Sequence, residues 1–200
     1  MPKPPKGFHV LVANAGVAKF NKGDLDGSIA DFTKAIALEP EDATAYYYRG
    51  NVKKDQIDFG PAIDDYTKAI ALKPDYAEAY FNRGSVDEVL INWDGAIADY
   101  TKAIEFKPDN AEAYDNRGRM KAAKKDFEGA NVDFAKAEDL KAVAAKTCYD
   151  RGVANQAKGD LDGAKADYKK ALALKPDFAD AQKALDGLNK PAETPAPSTP

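Results

Sequence analysis

Gly16, Gly50, Gly84, Gly118 and Gly152 stand 34 residues apart with no insertion, and this period constrains the chain more than any other feature. Further columns keep the same step. A small residue recurs as Ser28, Ala62, Ala96, Ala130 and Ala164, and an aromatic ring as Phe32, Tyr66, Tyr100, Phe134 and Tyr168. Ala35, Ala69, Ala103, Ala137 and Ala171 follow, and prolines close the pattern at Pro40, Pro74, Pro108 and Pro176. Self-similarity at such a period marks stacked supersecondary units, none of which can bury its apolar face alone.

Inside each unit the apolar spacing is helical. Ala96, Ile97, Tyr100, Ala103 and Ile104 fall at i, i+1, i+4, i+7 and i+8, one face of a helix rather than the alternation of a strand. The glycines lie mid-helix, where each costs about 1 kcal/mol against alanine. Such a cost is tolerable where the missing side chain admits a neighbouring helix. The prolines end the second helix, because the residue before proline is pushed out of the α region. Lys73, Lys107 and Lys175 precede them and suit a helix C-terminus. Asp24, Asp58, Asp126 and Asp160 fall at the turn between the two helices, as caps or turn residues. Each unit therefore reads as a helix–turn–helix of two short antiparallel helices.

The small–small–aromatic–small–proline order resembles the tetratricopeptide repeat (TPR) family, in the style of its bacterial arrays. The resemblance implies an all-α fold, a right-handed superhelix of five repeats: 9–42, 43–76, 77–110, 111–144 and 145–178. Residues 179–189 read as a capping helix, with Ala181, Ala184, Leu185 and Leu188 on one face. Residues 1–8 read as a flexible N-terminal segment and the Pro-rich 190–200 as a disordered tail. The fourth unit is the poorest: Ala142 replaces the proline, and Asn131 and Glu138 replace apolar residues. Softer helix termination, and any hinge, are expected between units four and five.

Composition narrows the function. The chain is 44% hydrophobic and 31% charged, with a formal charge of −4 and no basic stripe, so a nucleic-acid partner is not expected. No apolar run is long enough to span a bilayer, so no direct membrane insertion is expected. The start shows no apolar signal core, so the chain reads as cytoplasmic as it stands, or periplasmic had a signal been removed. One cysteine, Cys148, and one histidine, His9, leave no disulfide and no His/Cys metal cluster. No cofactor is expected, and no nucleophile–base pair or phosphate loop points to an enzyme. "KGDLDGS" echoes a calcium loop, but the glutamate required eleven residues after Asp24 is Ala35.

The family resemblance implies a concave groove lined by the first helices, where a partner docks as a peptide or helix. The groove columns supply Val10, Val17 and Phe20 in the first unit, Tyr47, Asn51 and Lys54 in the second, and Phe81, Ser85 and Glu88 in the third. Asp115 and Arg119 follow in the fourth unit and Tyr149 in the fifth. Some members grip a chaperone's C-terminal carboxylate with lysines. The lysine column here holds Ala13, Tyr47, Phe81, Asp115 and Tyr149, which argues against that clamp. The expected function is a non-catalytic scaffold or adaptor for a protein or peptide. Self-association through the ends, as a homo-oligomer, or service as an accessory domain of a larger protein are the alternatives. Finally, Arg49, Arg83, Arg117 and Arg151 recur sixteen residues before Asp65, Asp99, Asp133 and Asp167, which suggests structural charge pairs.

Overall fold

The computed structural model describes Pro5 and residues 7–189. Every regular element among them is an α-helix: α1 (Phe8–Asn21), α2 (Leu25–Leu38), α3 (Ala43–Asp55), α4 (Phe59–Leu72) and α5 (Ala77–Val89). These are followed by α6 (Trp93–Phe106), α7 (Ala111–Ala123), α8 (Phe127–Ala157), α9 (Leu161–Leu174) and α10 (Ala179–Asn189). The all-α fold class read from the repeats is the one observed. The expected tail 190–200 lies outside the described residues, as does most of segment 1–8, although Phe8 itself opens α1 and packs toward Val12, Ala35 and Ala45.

The columns act as the sequence implies. Phe32, Tyr66, Tyr100 and Tyr168 are fully buried. A Cβ on Gly50 would sit 2.8 Å from the Tyr66 ring, and one on Gly84 3.2 Å from Asp99 Cβ. The glycine is therefore the hole into which the second helix of the same unit presses its ring. Glu39, Lys73, Lys107 and Lys175, each before a proline, leave the helical region at φ −138, −132, −138 and −139°. Asp24, Asp126 and Asp160 accept from the N–H of Gly27, Gly129 and Gly163 at 3.0, 2.9 and 2.9 Å. Asp58 holds the same N-cap position without a side-chain bond, because the matching residue is Pro61, which has no N–H.

One column shows only in the backbone. The turn between the helices of a unit holds a left-handed residue: Gly23, Ile57, Ile91, Lys125 and Gly159, with φ between 61 and 83°. Glycine takes that conformation freely, whereas an L side chain pays about 1–2 kcal/mol. Ile57 and Ile91 show that the turn geometry overrides local preference.

The chain forms two compact units, residues 1–134 and 135–200. In the first, α1 to α7 and the start of α8 alternate, each second helix packing against the first helices on either side. Asn51–Asn82 and Glu88–Arg119 hydrogen bonds set α3, α5 and α7 side by side. In the second, the rest of α8 packs with α9 and α10 around Cys148, Ala171, Ala181, Ala164, Tyr168 and Leu185.

The weak stop expected between units four and five is no stop at all, whereas the compact units divide away from the expected hinge. α8 runs 31 residues from Phe127 to Ala157 without a turn, and the division of the compact units falls after Phe134 rather than at that boundary. Ala142 carries the N–H that proline lacks, so Lys141 stays helical and nothing stops the propagation. A cleft of about 460 Å³ lies between the middle of α8, at Glu138 to Ala142, and the end of α9 at Leu174 and Lys175.

Candidate functional site

The Arg–Asp columns belong to the frame. Arg49 donates to both Asp65 carboxylate oxygens at 2.8 and 2.7 Å, and its third nitrogen reaches Thr33 Oγ1 of the preceding unit at 3.1 Å. Arg83 repeats this with Asp99 at 2.7 and 2.8 Å and with Thr67 at 2.9 Å. Arg117 does the same with Asp133 at 2.9 and 2.6 Å and with Thr101 at 3.1 Å. Each guanidinium also lies over a ring of its own helix: Tyr46, Tyr80 and Tyr114. One arginine thus ties three helices, which a planar five-donor cation can do and an ammonium cannot. Arg151 pairs with Asp167, but Ala135 and Cys148 occupy its threonine and tyrosine columns, and its side chain is 57% exposed.

A fourth partner varies. Lys53 and Lys121 reach Asp65 and Asp133, each at 2.8 Å. Asn155 donates to Asp167 at 3.0 Å, but the third unit has Asp87 in that column. Burial pushes the Asp87 carboxyl above its ordinary value, a hydrogen bond from Asn92 opposes this, and the charge on Asp99 adds to it. Burial also pushes Asp133 up, but hydrogen bonds from Arg117 and Lys121 outweigh it and hold that carboxyl below the usual range.

Above this frame, the first helices of residues 1–134 present the expected groove residues. Val10 is 49% exposed, and Val17 and Phe20 are half-buried. Tyr47 and Phe81 are half-buried and pack onto the core beneath, Phe81 with its ring 5.5 Å from that of Tyr100. The polar members are tied to one another. Asn51 accepts from the Tyr66 hydroxyl at 2.9 Å and from Asn82 at 2.9 Å. Asn82 also donates to Tyr47 Oη at 3.1 Å and accepts from Lys54 at 3.4 Å. Ser85 donates to the Asn82 carbonyl at 2.8 Å. Glu88 accepts from the Tyr100 hydroxyl at 2.9 Å and from Arg119 at 2.7 Å, and Arg119 pairs with Asp115 at 3.6 Å. Tyr149 lies in the compact unit of residues 135–200, its ring 5.2 Å from that of Phe178 and 5.8 Å from that of Tyr168.

A rule joins groove to core. Where the buried ring is tyrosine, its hydroxyl reaches the first helix and meets a polar side chain there: Asn51, Glu88 or, for Tyr168, Gln156 at 2.8 Å. Where it is phenylalanine no such partner is needed, and above Phe32 the first unit carries Val17 and Phe20. Asn82 and Asn116, which complete these networks, lie outside the predicted groove columns. Asn116 donates to Tyr100 Oη at 3.3 Å and accepts from Arg119 at 2.6 Å. Their shared column was visible, but not the partners they reach on other helices.

A cavity of about 270 Å³ opens between α1 and α3. It is lined by His9, Val10, Ala13, Asn14 and Val17 on one side and by Asp42, Thr44 and Tyr48 on the other. Among the described residues, no group of three or more His, Cys, Asp or Glu side chains could hold a metal ion. No helix among them is long and apolar enough to cross a membrane.

Family models for the TPR repeat match residues 16–56, 58–86 and 92–121, and a tetratricopeptide repeat model matches 145–178. No curated protein matches the sequence. Among solved structures the chain is similar to MamA, at 27% identity over 80% of this chain and 94% of that one, with a TM-score of 0.62. It is similar to YrrB, described as a TPR protein with an unusual peptide-binding site, at 24% identity over 88% and 90% with a TM-score of 0.61. It also shares its fold with the first TPR of Spaghetti (RPAP3), solved bound to the HSP90 peptide SRMEEVD. There the identity is 24% over 62% of this chain and 99% of that one, with a TM-score of 0.59.

Proposed function

The chain belongs to the tetratricopeptide repeat family, and we propose that it is a non-catalytic scaffold that receives a segment of a partner protein on its first-helix face. TPR proteins are generally interaction modules, and two of the structural neighbours are described with peptide sites or peptides. The observation that carries the reading is the contrast between frame and face. Glycine, small, aromatic and aspartate columns repeat in the interior and the arginine column repeats as their brace, while the face of α1, α3, α5 and α7 changes from unit to unit. The five-repeat division belongs to this proposal, as do Val10, Val17, Phe20, Tyr47, Asn51, Lys54, Phe81, Ser85, Glu88, Asp115, Arg119 and Tyr149 as candidate contacts. A chaperone-type carboxylate clamp is disfavoured, because the lysine column holds Ala13, Tyr47, Phe81, Asp115 and Tyr149.

Photo-crosslinkers at Ser85 on the first-helix face and at Lys68 on α4 test it in a lysate. The reading expects crosslinks to partner peptides from Ser85 and few from Lys68. Crosslinks from Lys68 alone would overturn it, and crosslinks from Ser85 to this same chain would replace the heterologous partner with self-association.

A further inference from the structure

The polar side chains of the first-helix face divide into two sets. On α3, α5 and α7, Asn51, Asn82, Glu88 and Arg119 are engaged with one another or with buried tyrosine hydroxyls. At the cavity between α1 and α3 the reverse holds. Val10, Ala13 and Val17 give an apolar wall, and the side chains of Asn14, Thr44 and Tyr48 have no hydrogen-bond partner among the described residues. Beneath Tyr48 lies Phe32, whose ring stacks on it at 5.8 Å and sends no hydroxyl upward, and among the described residues no repeat precedes Asn14 to supply the partners that Asn82 and Asn116 find. An apolar hollow with a few uncommitted polar groups is the usual form of a recognition site.

Volume and charge select the occupant. About 270 Å³ is below the roughly 300–1,000 Å³ of pockets that enclose whole small-molecule ligands, and it suits one large side chain. Asp42 lines the cavity, with Oδ1 engaged in capping the N–H groups of Thr44 and Ala45. Glu39 and Glu41, in the loop leading to it, are exposed and form no ion pair among the described residues. No lysine or arginine lines the cavity. Beside His9, the charged side chain in the lining is Asp42, and with Glu39 and Glu41 in the loop before it this end of the cavity favours a cation next to an aliphatic anchor and disfavours an acid.

We propose that this cavity takes a leucine-like side chain of a partner polypeptide whose adjacent residue is arginine or lysine, with that cation facing Glu41 and Asp42. The inference rests on the scaffold reading and names the class of segment it recognises. Asn14, Thr44 and Tyr48 are left to meet polar groups of the incoming main chain.

An NMR amide-shift titration of the full chain tests this with three blocked hexapeptides of glycine and serine. One carries leucine followed by arginine, one leucine followed by glutamate, and one has glycine in place of the leucine. The leucine–arginine peptide should shift amides of residues 9–17 and 42–48, and the glutamate peptide should bind about fivefold more weakly. The glycine peptide should shift none. Val10→Arg, at a half-exposed position, should abolish the shifts with an unchanged melting temperature, and Glu41→Lys should reverse the preference between the two charged peptides. Equal binding of the arginine and glutamate peptides, or no shifts with either, overturns the proposal. Shifts confined to α5 and α7 overturn the cavity while leaving the scaffold reading standing, which the crosslinking experiment decides separately.

Discussion

Replacing Arg83 with leucine should destabilise the third unit by about 3 kcal/mol, more than the same change at any other arginine of the column. Asp99 is 5% exposed and accepts both of its short bonds from Arg83, at 2.7 and 2.8 Å. No other cation among the described residues bonds it. Removing one partner of a buried ion pair costs about 3–5 kcal/mol, because the remaining charge is stranded. The Arg83 side chain is 21% exposed, so water reaches that side of the pair and the lower end applies. At Asp65 and Asp133 a lysine remains at 2.8 Å, so Arg49→Leu and Arg117→Leu should cost about 1.5 kcal/mol, the worth of the lost charged hydrogen bonds. In the third unit the lysine column holds Asp87, which adds repulsion once the guanidinium is gone. Arg151→Leu should cost least, since that side chain is 57% exposed. The assay is urea unfolding followed by the fluorescence of Trp93, the single tryptophan, which opens α6 in the third unit. The double variant Arg83→Leu/Asp99→Leu should recover at least half of the single loss. Equal losses across the four arginines, or strict additivity in the cycle, would refute the reasoning.

Acidification should strengthen the third unit before it weakens the fourth. A carboxyl raised in the folded state, as Asp87 is, binds its proton more tightly folded than unfolded, so its penalty lifts as pH falls through the folded value toward the ordinary carboxylate range. Asp133 is lowered, so its contribution persists until pH falls below the ordinary carboxylate range. Urea midpoints read at Trp93 should rise as pH falls from neutral toward the ordinary carboxylate range, and Asp87→Asn should flatten that rise; a rise unchanged in the variant would assign it elsewhere. Gly50→Ala should destabilise despite a helix-propensity gain of about 1 kcal/mol, because its Cβ would lie 2.8 Å from the Tyr66 ring and overpacking costs about 1–3 kcal/mol. A more stable variant by thermal melting would show that the ring can move. Hydrogen exchange within α8 should be fastest at residues 138–144, which are exposed or half-buried throughout and include Glu138, Asp139, Lys141 and Ala142 at the cleft. Protection there equal to that of α4 and α6 would contradict this.

Most of the frame was legible because its rules are local. A glycine opposite a ring, a proline after a helix and an aspartate before one each act within a few residues or across one hairpin, and 34-residue repetition shows every rule several times over. Arg83 and Asp99 could be paired on paper for the same reason. Where locality ends, sequence alone is not enough. Ala142 was visible as a missing stop, but propagation decides whether a helix without a stop softens or runs on, and α8 continued to Ala157.

The face of the first helices depended on tertiary structure. Asn82 meets Tyr47, Asn51 and Lys54 from 28 to 35 residues away. Sequence spacing places these residues on one face, but whether their side chains touch is set by how closely neighbouring helices approach. The same holds at Ile57 and Ile91, where packing of the two helices of a unit imposes a left-handed turn that no local preference of isoleucine would choose. The chain's own letters determined a repeating helical hairpin and the charge pairs that brace it. Only the assembled structure decided which polar groups on its face satisfy one another and which, at the hollow between α1 and α3, remain uncommitted, because those bonds run between side chains of different helices.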